Sequence, residues 1–304
     1  MPHNRHIASF IALVFLTIGF LIFFDICRAQ TTKEFRTAGS SSTALAPASS
    51  SQQTDSKVGM TDAVSNETNG VSSTCGVIVL GYHQFTGPSK KSKNIYVMSQ
   101  DVFETEMQFL KENGYHVVSL EDLLHFLKHE ISLPTQSVAI TIDDGYKSVV
   151  TYAAPVLKNH GYPWTFFVYT DFIGTSSQSA SWQDLLNLQA DGVDIECHSK
   201  DHPFLNHKNG KTPEQYDQWL TDEIVVSKSI LEQKLGKPIH FFAYPYGAYN
   251  QEVQTKIIDA GYDGIFTVAN NPVYSTTSPF SIGRYVITKG EEKLFAAFLR
   301  EGVH

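Results

Sequence analysis

The sequence is poor in cysteine and in basic residues. Its 304 residues include three cysteines, Cys27, Cys75 and Cys197, which show no metal-binding spacing and cannot all pair, so we expect no disulfide framework. Asp and Glu outnumber Lys and Arg by 31 to 23, which gives a net charge of −8. This acidic balance argues against a protein that binds nucleic acid.

Charge is absent from one long apolar stretch near the N-terminus, Ile7–Phe24. Its 18 residues exceed the usual signal-peptide core of about 7–15 residues and nearly span a bilayer at about 1.5 Å per residue. We therefore interpret residues 1–30 as a membrane anchor or a signal segment, without deciding whether it is cleaved. Residues 31–75 are rich in Ser and Thr and nearly free of aromatics, which predicts a flexible linker. We expect the remaining domain, residues 76–304, to lie outside the cytoplasm, anchored at the cell surface or secreted.

Strand and helix patterns alternate through the domain. A helix is predicted to begin with Asp101 as its N-cap, and the longest helix is predicted over 214–235. Apolar runs predict the strands, at 77–83, 116–120, 137–144, 165–170, 193–199, 239–247 and 263–268. This alternation predicts an α/β fold of right-handed βαβ units with a mostly parallel sheet, open or closed into a barrel. We expect a monomer.

Two adjacent carboxylates follow the strand predicted from VAITI. Asp143 and Asp144 come directly after this strand, and Gly145 follows them. Two like charges repel each other, and burying either costs several kcal/mol unless a positive group lies nearby. Because functional groups of parallel α/β folds gather at the carboxyl ends of the strands, we expect a cation or a basic side chain there.

Two histidines follow another predicted strand in the segment ECHSKDH. If His198 and His202 lie on a helical turn, their four-residue spacing points both imidazoles the same way, so that they can bind one ion. Two histidines and one carboxylate leave coordination positions open for water or substrate. The spacing alone is weak, because the chain has 12 histidines and most are expected to be surface or core residues.

Three motifs together resemble the polysaccharide deacetylase family, also known as the NodB homology domain or carbohydrate esterase family 4. They are TIDDG, HSKDH and YPYGAYN, in the family order, and the resemblance covers roughly residues 77–300. It implies a distorted (β/α) barrel and one divalent metal ion, most often Zn²⁺, although other first-row metals remain possible. The implied ligands are Asp144, His198 and His202. Asp143 is implied as the general base, and the backbone N–H of Tyr246 as a donor to the oxyanion.

The chain departs from the family pattern at two positions. The third-motif arginine is replaced by Ala243, and we consider Arg284 as its substitute, holding either Asp143 or a substrate carbonyl. The usual C-terminal Leu-x-His, which supplies the general acid, is absent. His83, in LGYH, resembles instead an early Tyr-His of the intercellular-adhesin-type deacetylases, which implies that it is the acid. The alternative for His83 is a buried structural histidine.

Two aromatic residues complete the predicted site. SWQDL resembles the same subgroup and implies that Trp182 forms a wall of the active site, and Tyr244 is a candidate for stacking on a sugar ring. The resemblance implies a metal-dependent N-deacetylase of an N-acetylglucosamine (GlcNAc) polysaccharide, first among them poly-β-1,6-N-acetylglucosamine of a biofilm matrix. The alternatives are a peptidoglycan or chitooligosaccharide deacetylase, an O-acetyl esterase, or a non-catalytic polysaccharide-binding surface protein. Paired carboxylates beside a metal argue against the last.

Overall fold

The computed structural model describes residues 76–290 and 292–302. The predictions for the apolar segment Ile7–Phe24, for the linker and for Cys27 and Cys75 therefore concern residues outside the described part of the chain. Within the described ranges, no helix combines the length and the apolar character that crossing a membrane requires. Cys197 is a free and buried thiol.

A curled parallel sheet forms a half-barrel. Its order is β10-β1-β5-β6-β7-β8-β9, and β4 pairs with the first half of β5, while β2 and β3 form a separate parallel pair. The strands are β1 Ile78–Tyr82, β2 Gln84–Thr86, β3 Val97–Ser99, β4 His116–Val118, β5 Ser137–Ile142, β6 Thr165–Val168, β7 Asp194–Cys197, β8 Phe241–Ala243, β9 Gly264–Phe266 and β10 Tyr285–Val286. The predicted parallel sheet is confirmed, and β2, β3 and β10 are additions to it.

Helices cover the outer face of this sheet, and the second of them packs on the inner face. They are α1 Gln100–Glu112, α2 Leu120–Leu127, α3 Ala154–His160, α4 Trp182–Ala190, α5 Pro213–Leu220, α6 Ser227–Leu235, α7 Gln251–Asp259 and α8 Glu292–Glu301. A π-helical turn, Thr221–Val226, joins α5 to α6, so the long helix predicted over 214–235 is confirmed. The predicted N-cap of α1 is wrong: Ser99 occupies that position, and Asp101 lies in the first turn, where its charge suits the helix dipole.

The strands divide their side chains between two cores. Val138, Ile140 and Ile142 of β5 pack in the larger hydrophobic cluster with residues of the helices, whereas Ala139 belongs to a smaller cluster on the inner face of the sheet. Successive side chains of a strand point to opposite faces. By this parity, Asp143 follows Ala139 onto the inner face, and its backbone N–H extends the ladder by donating to the Tyr82 carbonyl.

The same parity aims the other strand-end residues inward. His83 follows Val79 of β1, and His198 lies two residues after Glu196 of β7. The N–H of His198 also continues its strand ladder, donating to the Val168 carbonyl at 2.9 Å. The apolar residues of α2 pack with the inner cluster. Polar side chains such as His83, Asp143 and His198 follow the carboxyl ends of the strands.

Candidate active site

A cavity of about 650 Å³ opens at the carboxyl ends of the strands. Seven of the nine residues predicted for the site line it: His83, Asp143, Asp144, His198, His202, Tyr244 and Tyr246. They come from the ends of β1, β5, β7 and β8 and from the loops that follow these strands. Arg284 contacts Asp143 from the inner face of the sheet, and Trp182 is not among the lining residues.

Asp144, His198 and His202 form one convergent donor set. The Nε2 atoms of the two histidines are 3.1 Å apart, and Asp144 Oδ1 lies 3.6 Å from His198 Nε2 and 3.3 Å from His202 Nε2. Tetrahedral Zn²⁺ with bonds of about 2.0–2.1 Å separates its ligand atoms by about 3.3 Å. Asp144 Oδ1 is buried and has no hydrogen-bond partner among the described residues. The three residues therefore fit a divalent metal ion.

The two histidines converge through a loop, so the predicted helical turn is wrong. Ser199 and His202 both have left-handed backbone conformations, with φ of 72° and 56°. Residues in this region turn the chain sharply, and L-residues other than Gly adopt it at some cost. Two such residues within four positions bend the segment after β7 so that both Nε2 atoms face one point. The four-residue spacing predicted that His198 and His202 converge, but a loop rather than a helical turn brings them together.

Both imidazoles are held in the form that binds a metal. His198 Nδ1–H donates to the Ala243 carbonyl at 2.7 Å, which leaves the lone pair of Nε2 free for a ligand bond. Burial lowers the pKa of His198 to about 3 and that of His202 to about 4, so both rings are neutral near pH 7. Burial, followed by the charge of Asp143, raises the pKa of Asp144 to about 7, which a bound cation would reverse.

Arg284 makes a bidentate ion pair with Asp143. Its two terminal nitrogens lie 2.7 Å and 2.8 Å from the two carboxylate oxygens, and both side chains are almost completely buried. The guanidinium also donates to Thr141 Oγ1 and to the Thr267 carbonyl. Burial alone would raise the pKa of Asp143, but the charge and hydrogen bonds of Arg284 outweigh it and hold the pKa well below its usual value. Asp143 is therefore ionised at neutral pH.

The structure thus contains the first of the two contacts considered for Arg284. Ala243 lies on β8, where the family arginine precedes the third motif, whereas Arg284 directly precedes β10. The guanidinium reaches Asp143 across the inner face of the sheet and packs over the ring of Phe167 on the way. A contact of Arg284 with substrate is not part of this arrangement, because its nitrogens are already engaged and the side chain is 1% exposed.

His83 faces the same cavity from the end of β1. Its Nδ1 atom is buried without a hydrogen-bond partner in the described part of the chain, and its ring lies 5.0 Å from that of Tyr96. Burial lowers the pKa of His83, and the negative charge of Asp143 opposes this effect. The placement brings His83, Asp143 and His198 to one cavity, as predicted. Its role as general acid stays a prediction.

Two predicted substrate contacts are not supported by the structure. Trp182 lies at the start of α4, packs against the outer core, and has Lys234 5.7 Å from its ring centre, so it does not form a wall of this cavity. Tyr244 lines the cavity but is fully buried, because its ring stacks on Tyr249 with centroids 4.6 Å apart. No ring face of Tyr244 remains for a sugar.

Other cavity residues lacked a signal in the sequence. Tyr96 is 45% exposed and, with Asn94, comes from the loop between β2 and β3, which has no strand or helix periodicity. Tyr246 was predicted for its backbone N–H, and its side chain also faces the cavity: it is 55% exposed and stacks on Phe204, with ring centroids 4.0 Å apart and an interplanar angle of 11°. The remaining missed residues are Gln84, Tyr146, Tyr169, Val268, Asn270, Val286 and Thr288.

Comparisons with known proteins agree with this geometry. Residues 130–265 match the profile of the family described as polysaccharide deacetylase. YxkH of Bacillus subtilis is 29% identical over 184 residues, which make up 60% of this chain and 61% of that protein. The poly-beta-1,6-N-acetyl-D-glucosamine N-deacetylase of Staphylococcus aureus is 26% identical over 210 residues, covering 67% of this chain and 72% of that protein. The solved structure of IcaB from Ammonifex degensii superposes with a TM-score of 0.66 at 25% identity, covering 74% of this chain and 97% of that one.

The resemblance to the polysaccharide deacetylase family expected from the three motifs is confirmed, since residues 130–265 match the profile of that family. The distorted (β/α) barrel predicted for the domain is confirmed as well. The matching segment contains the three motifs, but His83 precedes it and Arg284 follows it. The chain spans about three fifths of the length of YxkH, so the aligned part does not represent the whole of that relative.

Proposed function

We propose that the chain is a metal-dependent hydrolase that removes N-acetyl groups from a GlcNAc-containing polysaccharide. The observation that carries the proposal is the pairing of two functions on adjacent residues. Asp144 presents an unpartnered buried oxygen to two neutral imidazoles, whereas Asp143 is kept ionised by Arg284 about 4.0 Å from His198. A polysaccharide-binding module has no need for a cation site beside a carboxylate that is free to accept a proton.

Asp144, His198 and His202 would hold the metal ion. When bound, such an ion would polarise the carbonyl oxygen of an acetamide and lower the pKa of a bound water to about 7. Asp143 then accepts a proton from the attacking water, since its carboxylate oxygens each keep a lone pair beyond the one that faces Arg284. The bidentate contact fixes the plane of the carboxylate, so the accepting lone pair is positioned before the substrate arrives.

Two further residues of the cavity would act on the leaving nitrogen and on the oxyanion. His83 delivers a proton to the departing sugar nitrogen, because an amine leaves poorly as an anion. The N–H of Tyr246 donates to the oxyanion, a contribution typically worth about 3–4 kcal/mol. Tyr246 has a left-handed backbone, with φ of 57°, in the tight turn Pro245–Gly247 that follows β8. Proton delivery by His83 and oxyanion binding by Tyr246 are parts of the proposal.

We infer that the substrate is poly-β-1,6-N-acetylglucosamine of a biofilm matrix. The support is the similarity to the staphylococcal N-deacetylase, whose name gives this polymer, and to IcaB of Ammonifex degensii. The open cavity, lined by exposed Tyr96 and Tyr246, is compatible with a polymer that passes through rather than a small enclosed ligand. Peptidoglycan, chitooligosaccharides and O-acetyl esters are the competing substrates.

We also propose that the enzyme works outside the cytoplasm, tethered by residues 1–30 through the linker 31–75. The support is the uncharged apolar stretch Ile7–Phe24 and the Ser- and Thr-rich composition that follows it. A polymeric envelope substrate is assembled outside the cytoplasm, so this location agrees with the proposed activity.

The decisive experiment measures free amine released from β-1,6-linked and β-1,4-linked GlcNAc oligomers, together with the metal content of the purified chain. We expect close to one metal per chain and preference for the β-1,6 oligomer. Asp143→Asn should lower turnover by at least about 10²-fold and keep the metal, whereas Asp144→Ala should lose the metal. Asp217→Asn, a surface carboxylate paired with Lys256, is the matched control and should change neither.

Each outcome identifies an alternative. Acetate released from an O-acetylated oligomer, with no amine from either GlcNAc oligomer, would point to an O-acetyl esterase. Preference for β-1,4 oligomers or for peptidoglycan would show that the inferred substrate is wrong, but it would not contradict the proposed mechanism. Full activity after complete removal of metal would refute the metal-dependent mechanism, and tight polymer binding without any product would favour a non-catalytic binding protein.

A further inference from the structure

The segment that carries the second histidine of the metal site is conformationally costly. Only three residues separate His198 from His202, and the backbone is left-handed at Ser199 and again at His202. Left-handed conformations of non-glycine residues persist where the surroundings over-determine them. The position of His202 Nε2 therefore depends on the groups that hold the loop between the two ligands.

One side of this loop is held by the segment after β6. The Asp171 N–H donates to the Lys200 carbonyl at 2.9 Å, the Thr170 N–H donates to the Ser199 carbonyl at 3.3 Å, and the Lys200 ammonium lies 2.6 Å from Asp171 Oδ2. These contacts use carbonyl oxygens and one side chain. The backbone N–H groups of the loop point elsewhere.

The other side is held by one buried carboxylate. Glu223 Oε2 accepts from the N–H of Lys200 at 3.1 Å and from the N–H of Asp201 at 3.0 Å. Two successive N–H groups that converge on one anionic oxygen form a nest, a geometry that normally binds an anion from outside the chain. Here the anion is a side chain of the protein itself, and Glu223 is 4% exposed.

The place of Glu223 on its helix explains how it reaches the loop. It lies in the π-helical turn Thr221–Val226 between α5 and α6, where the helical register shifts by one residue. The turn is anchored from behind, since the Ser227 hydroxyl donates to the Glu223 carbonyl and the Tyr262 hydroxyl donates to the Ile224 carbonyl at 3.0 Å. The backbone that carries the carboxylate is therefore held by contacts that do not involve the loop.

We infer that Glu223 is a positioning residue of the metal site, which sets the geometry of His202 by binding the two backbone N–H groups between the ligands. The inference rests on the proposed function in that it takes Asp144, His198 and His202 as metal ligands. Glu223 touches neither the metal donors nor the cavity. Its effect passes through the backbone of Lys200 and Asp201, which precede His202 directly in the chain.

The test is the dissociation constant for zinc of the purified full-length chain, measured by competition with a chromophoric chelator. Glu223→Ala should raise this constant by about 10–100-fold, the range typical of residues that orient metal ligands. Glu223→Gln keeps an oxygen acceptor at the same distance and should restore the constant to within about threefold of the unmodified chain. Asp222→Ala removes the adjacent carboxylate, which bonds to Gln218, and should have no effect.

Glu223→Asp keeps the charge but withdraws it by one methylene, and it remains informative if the alanine variant does not fold. The inference predicts weaker zinc binding for the aspartate variant at an unchanged thermal unfolding midpoint of the metal-free chain. Equal zinc affinity for the aspartate variant and the unmodified chain would overturn the inference. Absence of zinc binding by the unmodified chain would instead refute the metal site itself, so the two failures are distinguishable.

Discussion

At the scale of single residues, the site depends on a contact between positions that are 141 residues apart. Arg284 and Asp143 form a buried bidentate pair with distances of 2.7 Å and 2.8 Å. Removing one partner of a buried ion pair leaves an uncompensated charge, whereas removing both leaves none. The pair therefore fixes the orientation of the proposed base. It also makes the stability of the fold sensitive to substitution of Arg284 or of Asp143.

A double-mutant cycle tests this coupling. Arg284→Met and Asp143→Ala should each lower the free energy of unfolding by about 3–5 kcal/mol, and the double variant should lose clearly less than the sum of the two. The measurement is urea denaturation of metal-free protein at neutral pH, so that metal binding does not contribute. Additive losses would show that the two side chains stabilise the fold independently.

His83 is tested by changing the leaving group of the substrate. His83→Ala should lower deacetylation of GlcNAc oligomers by about 10²–10⁴-fold, because the departing amine needs a proton as the C–N bond breaks. The leaving group of an activated acetyl ester departs without a proton, so the hydrolysis of such an ester by His83→Ala should fall much less. The metal content of the variant should not change.

Tyr96→Phe is a suitable control, since it keeps the ring that packs near His83 and removes the hydroxyl alone. Equal losses of His83→Ala on amide and ester would assign His83 a structural or positioning role, which was the alternative considered from the sequence.

At the scale of elements, α4 is fixed to the strand end that carries the two aspartates. Asp184 closes a capping box with Ser181 at the start of α4 and accepts two hydrogen bonds from the Lys147 ammonium, at 2.8 Å and 2.7 Å. Lys147 follows Asp144 by three residues. Burial alone would raise the pKa of Asp184, but the hydrogen bonds from Lys147 and Ser181 outweigh it and lower that pKa.

The lowered pKa of Asp184 fixes the sign of a pH effect. A carboxyl group whose pKa is lower in the folded state stabilises the fold above its unfolded pKa, and this contribution disappears as pH falls through the folded pKa. Asp184→Asn should therefore cost about 1 kcal/mol at pH 7, and this difference should shrink as pH falls below the ordinary aspartate pKa of about 3.9. Urea denaturation across this pH range measures the difference.

Asp191→Asn, at the opposite end of the same helix, is the control, because its ion pair with Lys158 is largely exposed. Exposed pairs contribute about 0–1 kcal/mol, so a small change is expected there. An Asp184→Asn effect that does not shrink at all as the pH is lowered into the acid-unfolding range would mean that the carboxylate charge is not its source.

At the scale of the whole molecule, hydrogen bonds tie the first described residues to distant parts of the chain. The Gly76 N–H donates to the Gly302 carbonyl, and Val77 pairs with Val273. Deleting Met1–Thr74 should therefore give a soluble domain with full deacetylase activity, because the strand pairing of the described sheet is complete among residues from Gly76 onward. Sedimentation and the amine-release assay measure the two properties, and an insoluble or inactive product would place the domain boundary earlier in the chain.

Much of the fold was predictable because local patterns agree with it. The alternation of apolar strands and amphipathic helices is a local signal, and it predicted the parallel sheet and the long helix through 213–235. The strand ends were predicted less well. The run over 239–247 continues as an apolar and aromatic sequence, but β8 ends at Ala243, because pairing with the neighbouring strands, rather than apolar character, sets the length of a strand.

The sequence by itself determined which atoms can do the chemistry. Strand parity and the motifs place Asp143, Asp144 and His198 at strand ends, and these are short-range properties of the chain. Tertiary structure alone decided that Arg284 meets Asp143, that Trp182 faces the outer core, and that His202 reaches the metal donors through a loop. Such contacts depend on the curl of the sheet and on packing between distant segments, and neither leaves a periodic trace in the residues that make the contact.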